Sequence, residues 1–354
     1  MAARFPAQDR VQAMSGPRNE EELEELLARP NEADRAAVRE LGGDLLILGV
    51  AGKMGPSLAM RVRRAASEAG VKMRVIGVSR FSSEANRRLL EDAGIETISA
   101  DLLDEDTLPR LPDVTNVVHM AARKFGSTGD ESPTWAMNAY LPARVADRFR
   151  SSRIVAFSSG NVYPHSPVAQ GGSTEAAPLE PVGEYAMSAI GRERLLTHMS
   201  KTHGTAMAIL RLNYAVETRY GVLLDIGTRV FERKPVDLAM GCANVIWQGD
   251  ANSICLRSFA HCSSPPFVLN LTGPETLSVR WIATRFGQIL GVEPLFEGEE
   301  RTTALLNNAA RSFRLFGYPT VSVDELVEWT AHWIGSGGRT LNKPTHFEAR
   351  DGKF

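Results

Sequence analysis

The feature that most restricts what this chain can become is Gly49-Val50-Ala51-Gly52-Lys53-Met54-Gly55, which lies between an apolar run, Leu45 to Leu48, and a helical stretch, Ser57 to Ala69. A strand that turns directly into a helix needs glycine wherever the backbone folds tightly or approaches a ligand closely. The N-terminus of the helix then offers unpaired N–H groups and a partial positive charge, which suit the pyrophosphate of a dinucleotide. Gly49, Gly52, Lys53, Met54 and Gly55 are therefore candidate cofactor-binding residues.

The next segments repeat the alternation. Strands are expected over Met73 to Val78, Glu96 to Ala100, Asn116 to Met120 and Arg153 to Phe157, with a helix over Ser83 to Ala93. Short apolar strands separated by helices predict a parallel sheet covered on both faces. Right-handed crossovers make such a sheet doubly wound, so the expected class is an α/β fold of Rossmann type. The end of the second strand reports on the dinucleotide. A carboxylate there holds the ribose hydroxyl of NAD, and a cation accepts the 2′-phosphate of NADP. The chain reads Ser79-Arg80-Phe81-Ser82, with no carboxylate before Glu84, so Ser79, Arg80 and Ser82 favour NADP over NAD.

Composition excludes several other classes. Forty basic and forty-two acidic side chains leave a net charge of −2, which argues against a nucleic-acid binder working through a broad basic field. No apolar run approaches the roughly 20 residues of a membrane span. Met1 to Gly16 hold no apolar signal core, so a cytoplasmic protein is expected. Three cysteines without a CxxC pair or paired histidines predict neither a disulfide scaffold nor a metal centre.

The chain divides, on this reading, into a helical N-terminal arm (1–43) and a dinucleotide-binding domain (44–212, with 243–262 returning to it). A substrate-binding domain (213–242 and 263–340) and a polar tail (341–354) complete it. Pro30 followed by Asn31 breaks the arm into two short helices, read as a solvated arm that packs on the body or on a partner. Val323 to Gly335 is amphipathic, with Trp329 and Trp333 one turn apart, a core-packing pattern.

The glycine loop together with several later motifs resembles the extended short-chain dehydrogenase/reductase superfamily, in its NAD-dependent epimerase/dehydratase branch. His119-Met120-Ala121-Ala122 is similar to that family's fourth-strand motif beside the cofactor, and Asp101-Leu102 to its adenine-contacting pair. The resemblance thus adds Asp101, Leu102, Ala121 and Ala122 to the cofactor set. Phe157-Ser158-Ser159-Gly160-Asn161-Val162-Tyr163 looks like the fifth-strand motif whose hydroxyl orients the substrate, which points to Ser159, with Asn161 a candidate substrate contact. Tyr185 opens the next helix as the family's catalytic tyrosine does, and Asn138 matches a supporting asparagine. A homodimer through the helix from Tyr185 to His198 is the family expectation.

One departure stands out. The family's Tyr-x-x-x-Lys reads Tyr185-Ala186-Met187-Ser188-Ala189 here, so the lysine that lowers the tyrosine's pKa is Ala189. A free phenol titrates near 10, so the missing cation costs about a thousandfold in ionised base at pH 7, or roughly 4 kcal/mol. Lys124, shortly after the HMAA motif, and Arg192, seven residues after Tyr185, are the candidate replacements. The plain alternative is that Arg192, Glu193 and Arg194 form a solvated helix face. A second departure is the run Met240 to Asp250, which has no arginine for a nucleotide pyrophosphate. A smaller substrate is therefore expected, a sugar, sugar acid or related alcohol held by Asn213, Trp247 and Gln248. The expected activity is an NAD(P)-dependent oxidoreductase or epimerase. The alternatives are a nucleotide-sugar epimerase/dehydratase and a dinucleotide-binding sensor or scaffold that has lost catalysis.

Overall fold

A computed structural model describes residues 16–124 and 129–353. The chain begins with two helices, α1 (Glu20–Ala28) and α2 (Glu32–Leu41). Asn19 and Asn31 cap their N-termini, and Asn31 and Asp34 form a reciprocal capping box. The charge-rich sequence of this arm conceals a buried face. Leu23, Leu27 and Val38 are fully inaccessible, and Asp34 is buried in an ion pair with Arg61, Nη2 to Oδ2 2.7 Å. The arm thus packs against the body of its own chain.

The body is built on β1 (Leu45–Leu48), α3 (Gly55–Glu68), β2 (Val75–Ser79), α4 (Glu84–Asp92), β3 (Glu96–Ser99) and β4 (Asn116–His119). A π-helical turn at Ala136–Tyr140 leads into α5 (Leu141–Arg148) and then β5 (Arg153–Ser159). The long helix α6 (Glu184–His203) precedes β6 (Met207–Leu212). After it come α7 (Val222–Phe231), α8 (Gln248–Arg257), β7 (Phe267–Leu271), α9 (Val279–Leu290) and α10 (Val323–Gly335).

Seven parallel strands form one sheet in the order β7-β6-β5-β4-β1-β2-β3. β1 is wholly apolar, and β1, β4 and β5 are almost wholly buried because helices cover both faces of the sheet. The order reverses between β1 and β4, and a crevice opens there at the carboxyl ends of the strands. β7 corrects the sequence reading, which placed residues 263–340 in the substrate-binding part. Phe267 pairs with Ala208 and Leu271 with Leu212, so this segment is the edge strand of the central sheet. Its apolar Phe-Val-Leu run fits a strand whose inner residues are buried.

A buried polar network ties α6 to the sheet. Arg211 on β6 donates through Nε and Nη2 to the Glu193 carboxylate at 3.0 and 2.7 Å, and Ser158 Oγ donates to the same carboxylate at 2.6 Å. Tyr163 OH accepts from Arg211 Nη1 and donates to Asn270 Oδ1 on β7. The solvated face expected of Arg192 and Glu193 is therefore wrong for both, which are 2% and 5% exposed, while Arg194 does face solvent. Removing one member of a buried ion pair strands the other charge, whereas replacing both with apolar groups is far less costly. Arg211→Met alone is expected to lower the unfolding free energy in urea by about 3–5 kcal/mol. The double variant Glu193→Leu/Arg211→Met should lose distinctly less; an equal or larger loss would refute this account of the network.

Candidate active site

Two depressions flank the β1–α3 loop. The first is a groove at the sheet's switch point, with a volume of about 620 Å³. Of the residues expected to bind the cofactor, Gly49, Gly52, Ser79, Arg80, Ser82, Asp101, Leu102, Ala121 and Ala122 line it. Ala51, Phe81, Ala100, Met120 and Met137 also line it and were not singled out. The loop fits a dinucleotide for steric reasons. Gly49 has φ +89°, and a Cβ there would stand 2.7 Å from the Ala121 backbone nitrogen. At Gly55 a Cβ would strike the Val50 carbonyl oxygen at 2.1 Å, so this glycine serves strand–helix packing rather than ligand contact. α3 starts without a side-chain cap and turns the positive end of its dipole toward an anion, although the Gly55 N–H donates to the Gly52 carbonyl at 3.3 Å and Pro56 has no N–H. Arg80 stands at the rim with a side chain 72% exposed, 3.9 Å from the Asp101 carboxylate.

Two further residues of the loop do not line the groove. Met54 is packed in the hydrophobic core. Lys53 turns away from the groove into a second, smaller cavity of about 130 Å³. There its Nζ donates to the Ala215 carbonyl at 2.7 Å and lies 3.7 Å from the centre of the Tyr220 ring. Both are contacts that hold a cation.

This cavity also holds Ser159, Asn161, Tyr185, Asn213 and Lys124. Ser159 ends β5, where its Oγ donates to Asn161 Oδ1 at 3.0 Å and accepts from Asn161 N. Tyr185 lies in the first turn of α6 and is 9% exposed. Asn138, in the π-helical turn, donates to Ser188 Oγ, which in turn donates to the Tyr185 carbonyl. π-Helical turns often mark functional sites, and this one anchors the base of the tyrosine's helix. Asn213 is 2% exposed and its Nδ2 has no partner among the described residues, so it is a donor ready for a ligand.

Lys124 Nζ donates to the Thr345 carbonyl at 3.2 Å. The sequence reading left the tail as polar and dependent on something to hold it. Here Thr345 is 1% exposed and donates through N and Oγ1 to Asp225 on α7, at 2.7 and 2.6 Å. Phe347 is buried in the core, and Arg350 donates to the Thr303 carbonyl at 2.8 Å. The tail thereby forms one wall of the cavity.

Three of the expected site residues stand elsewhere. Arg192 is held by the carbonyls of Asn138 and Phe157, Nε and Nη1 at 3.0 and 2.6 Å, and does not line the cavity. It reaches the phenol only as a charge through the protein. Trp247 packs edge-on against Trp329, with ring centroids 5.6 Å apart, inside the core. Gln248 Nε2 donates to Ser57 Oγ and fastens α8 to α3. Sequence reasoning missed Tyr214, Tyr220 and Thr345 in the cavity. It also missed Asn307, whose buried and unpartnered amide lies against Gly160.

A doubly wound parallel sheet, a glycine-lined groove at its switch point and a serine–tyrosine pair beside that groove define a dinucleotide-binding α/β protein with an enzyme-like cleft. Residues 45–217 match the model of the NAD dependent epimerase/dehydratase family. No curated protein is a significant match. Among solved structures, the chain is similar to UDP-glucuronic acid 4-epimerase from Bacillus cereus in complex with NAD. That match has a TM-score of 0.69 at 19% identity, over 82% of this chain and 98% of the other. UDP-glucose 4-epimerase from Thermus thermophilus matches with a TM-score of 0.66 at 18% identity, over 82% and 99%. The UDP-Glc/GlcNAc 4-epimerase of Campylobacter jejuni matches with a TM-score of 0.67 at 18% identity, over 82% and 98%. At these identities the likeness establishes the fold. Among the described residues, no group of histidine, cysteine and carboxylate side chains could hold a metal, and no helix is long and apolar enough to cross a membrane.

Burial pushes Lys53 down to about 7 and Lys124 down to about 8, from an ordinary lysine value of 10.5. The unfolded chain keeps the Lys53 proton up to about 10.5 while the folded chain releases it near 7, so in that window the unfolded state binds more protons. Stability should therefore rise with pH from about 7 toward 10.5 through this group. Lys53→Met removes that contribution, and its melting temperature is expected to climb less over this range than that of the wild type. Parallel curves would show that Lys53 titrates normally.

Proposed function

We propose that the protein is an NAD(P)-dependent enzyme that oxidises, or oxidises and re-forms with inversion, a secondary alcohol of a small carbohydrate. The observation that carries this reading is the shared cavity of Ser159, Tyr185 and the unpartnered Asn213 amide, one loop away from the glycine-lined groove. Gly49, Gly52, Asp101 and Ala121 would hold the cofactor, with its pyrophosphate over the start of α3. A bound nicotinamide supplies the hydride acceptor and donor.

The chain's own groups supply the rest. Tyr185 takes the hydroxyl proton, and Ser159 turns its O–H from Asn161 to the substrate oxygen as charge develops on it. Lys124 and Lys53 line the same cavity and bring cationic donors to it from outside the helix that carries Ala189. A small substrate is favoured by the tail, because Thr345 walls the cavity and no arginine lines it among the described residues. NADP is favoured over NAD through Arg80, with Ser79 and Ser82 beside it at the rim. A homodimer is part of the same reading, since Trp135, Tyr140, Met187 and Leu195 leave large apolar surface exposed on and around α6.

Two measurements test the proposal. When sugars or sugar acids are added, absorbance at the nicotinamide band should change or, for inversion, the epimeric sugar should appear, and Tyr185→Phe should lower that rate by about 10²–10⁴-fold. Full activity in Tyr185→Phe would remove the tyrosine from the chemistry. NADP should bind about ten-fold tighter than NAD, a difference of roughly 1.4 kcal/mol that Arg80→Ala abolishes. Equal binding of the two by the wild type would sink the cofactor preference.

A further inference from the structure

The glycine loop sends a lysine into the catalytic cavity. Lys53 and Lys124 arrive there from different elements, the β1–α3 loop and the segment after β4, and line it together with Ser159 and Tyr185. None of the described residues lining the cavity is a carboxylate. Acids outside the lining act on the two lysines, Glu217 and Asp225 on Lys53, and Asp225 and Glu348 on Lys124. Glu217 accepts from Arg219 Nε at 3.2 Å, and Asp225 accepts both donors of Thr345. Lys53 itself is steadied by a carbonyl and an aromatic face.

Two ammonium groups in a small enclosed space repel each other and lose hydration, a cost that an anionic ligand removes. Burial is the largest cause of the downward displacement of both lysines, and the Lys124 charge adds to it at Lys53. A lysine is a compact point donor rather than a planar fork, so two of them suit the two oxygens of a carboxylate without needing a bidentate arginine.

We propose that Lys53 and Lys124 form a carboxylate-binding subsite, so that the substrate is an acidic sugar such as a uronic acid rather than a neutral one. The inference rests on the carbohydrate reading of the same cavity and narrows it. Lys53 would hold one carboxylate oxygen while Asn213 Nδ2 donates to a neighbouring hydroxyl, which leaves the reacting alcohol to Ser159 and Tyr185.

The test is calorimetric and needs no turnover. D-Glucuronate, D-galacturonate, D-glucose, D-galactose and D-glucose 6-phosphate are titrated into the full-length protein saturated with NADP or NAD. At least one uronate is expected to bind about ten-fold or more tighter than its neutral counterpart, which corresponds to roughly 1.4 kcal/mol. That preference should fall to near parity in Lys53→Met and in Lys124→Met, and survive in part in Lys53→Arg. Equal binding of uronate and neutral sugar by the wild type overturns the proposal, and so does binding of none of them. Preferential binding of the sugar phosphate overturns the carboxylate assignment, and preservation of the uronate preference in both methionine variants removes the lysines from it. If uronates bind with the expected preference while no sugar changes the nicotinamide absorbance and none is converted to its epimer, the hydride-transfer reading fails and the subsite stands. If neutral sugars are turned over and bind as tightly as uronates, the subsite fails and the enzyme reading stands.

Discussion

Between β1 and β4 the backbone of Gly49 comes so close to Ala121 that a Cβ would lie 2.7 Å from its nitrogen, at a φ of +89° that other residues rarely adopt. The obstacle is backbone on both sides, so no flexible side chain can yield. Gly55 meets the same restriction against the Val50 carbonyl. Together these contacts compress the strand-to-helix turn into a few residues, and two consequences follow. α3 is brought down onto the sheet with its uncapped N-terminus at the switch-point groove. Lys53, lying between the two tight positions, is carried to the other side of the loop, over Tyr220. The groove and the cationic cavity are thus produced by one turn.

The position of Tyr185 depends on charges further along its own helix. A tyrosine in the first helical turn would fray were α6 held only by propensity. Glu193, two turns on, is fixed to Arg211 on β6 and to Ser158 on β5, the residue before Ser159. Arg192 grips the carbonyls of Phe157 and Asn138. The serine's strand and the tyrosine's helix are therefore clamped to each other by buried groups that touch neither substrate nor cofactor. In a low-dielectric interior such partners must all be present, because any one left alone is costly. The same logic holds the arm, where Asp34 accepts from Arg61 and Ser253 and so joins α2 to α3 and α8.

Local patterns made much of this legible. The four apolar residues of β1 and the amphipathic Val323–Gly335 helix carry their periodicity in the sequence, and the structure places both where that periodicity puts them. The groove residues were readable for a related reason: they follow the ends of successive parallel strands, where any doubly wound sheet must gather them. What sequence could not show depends on contacts between distant segments. Trp247 looks like a sugar platform until Trp329 is seen edge-on against it. Gln248 is committed to Ser57, far away in the chain, and Thr345 reaches the cavity only because Asp225 holds it. Phe267–Leu271 falls in the stretch read as part of the substrate-binding domain, and only its pairing with β6 shows that it extends the central sheet. Lys53 was misplaced because a glycine loop fixes the path of the backbone and leaves open which side of the loop a long side chain takes.

The absence of lysine at position 189 acquires a physical meaning in this setting. Ala189 is fully buried among Val162, Tyr163 and Ile190, beside the guanidinium-bearing Arg192 of the same helix. An ammonium there would enter an apolar cluster with a second cation one turn away, a combination that desolvation and like-charge repulsion both oppose. The chain instead carries its cations on the opposite wall, on Lys53 and Lys124, where a carbonyl, an aromatic face and the cavity itself receive them. Charge there acts through space on whatever ligand the cavity holds, because Coulomb interactions depend on distance and dielectric and not on which element bears the group. A motif missing from one helix is then compatible with a working electrostatic site, provided that the fold delivers its charge to the same few ångströms from another direction.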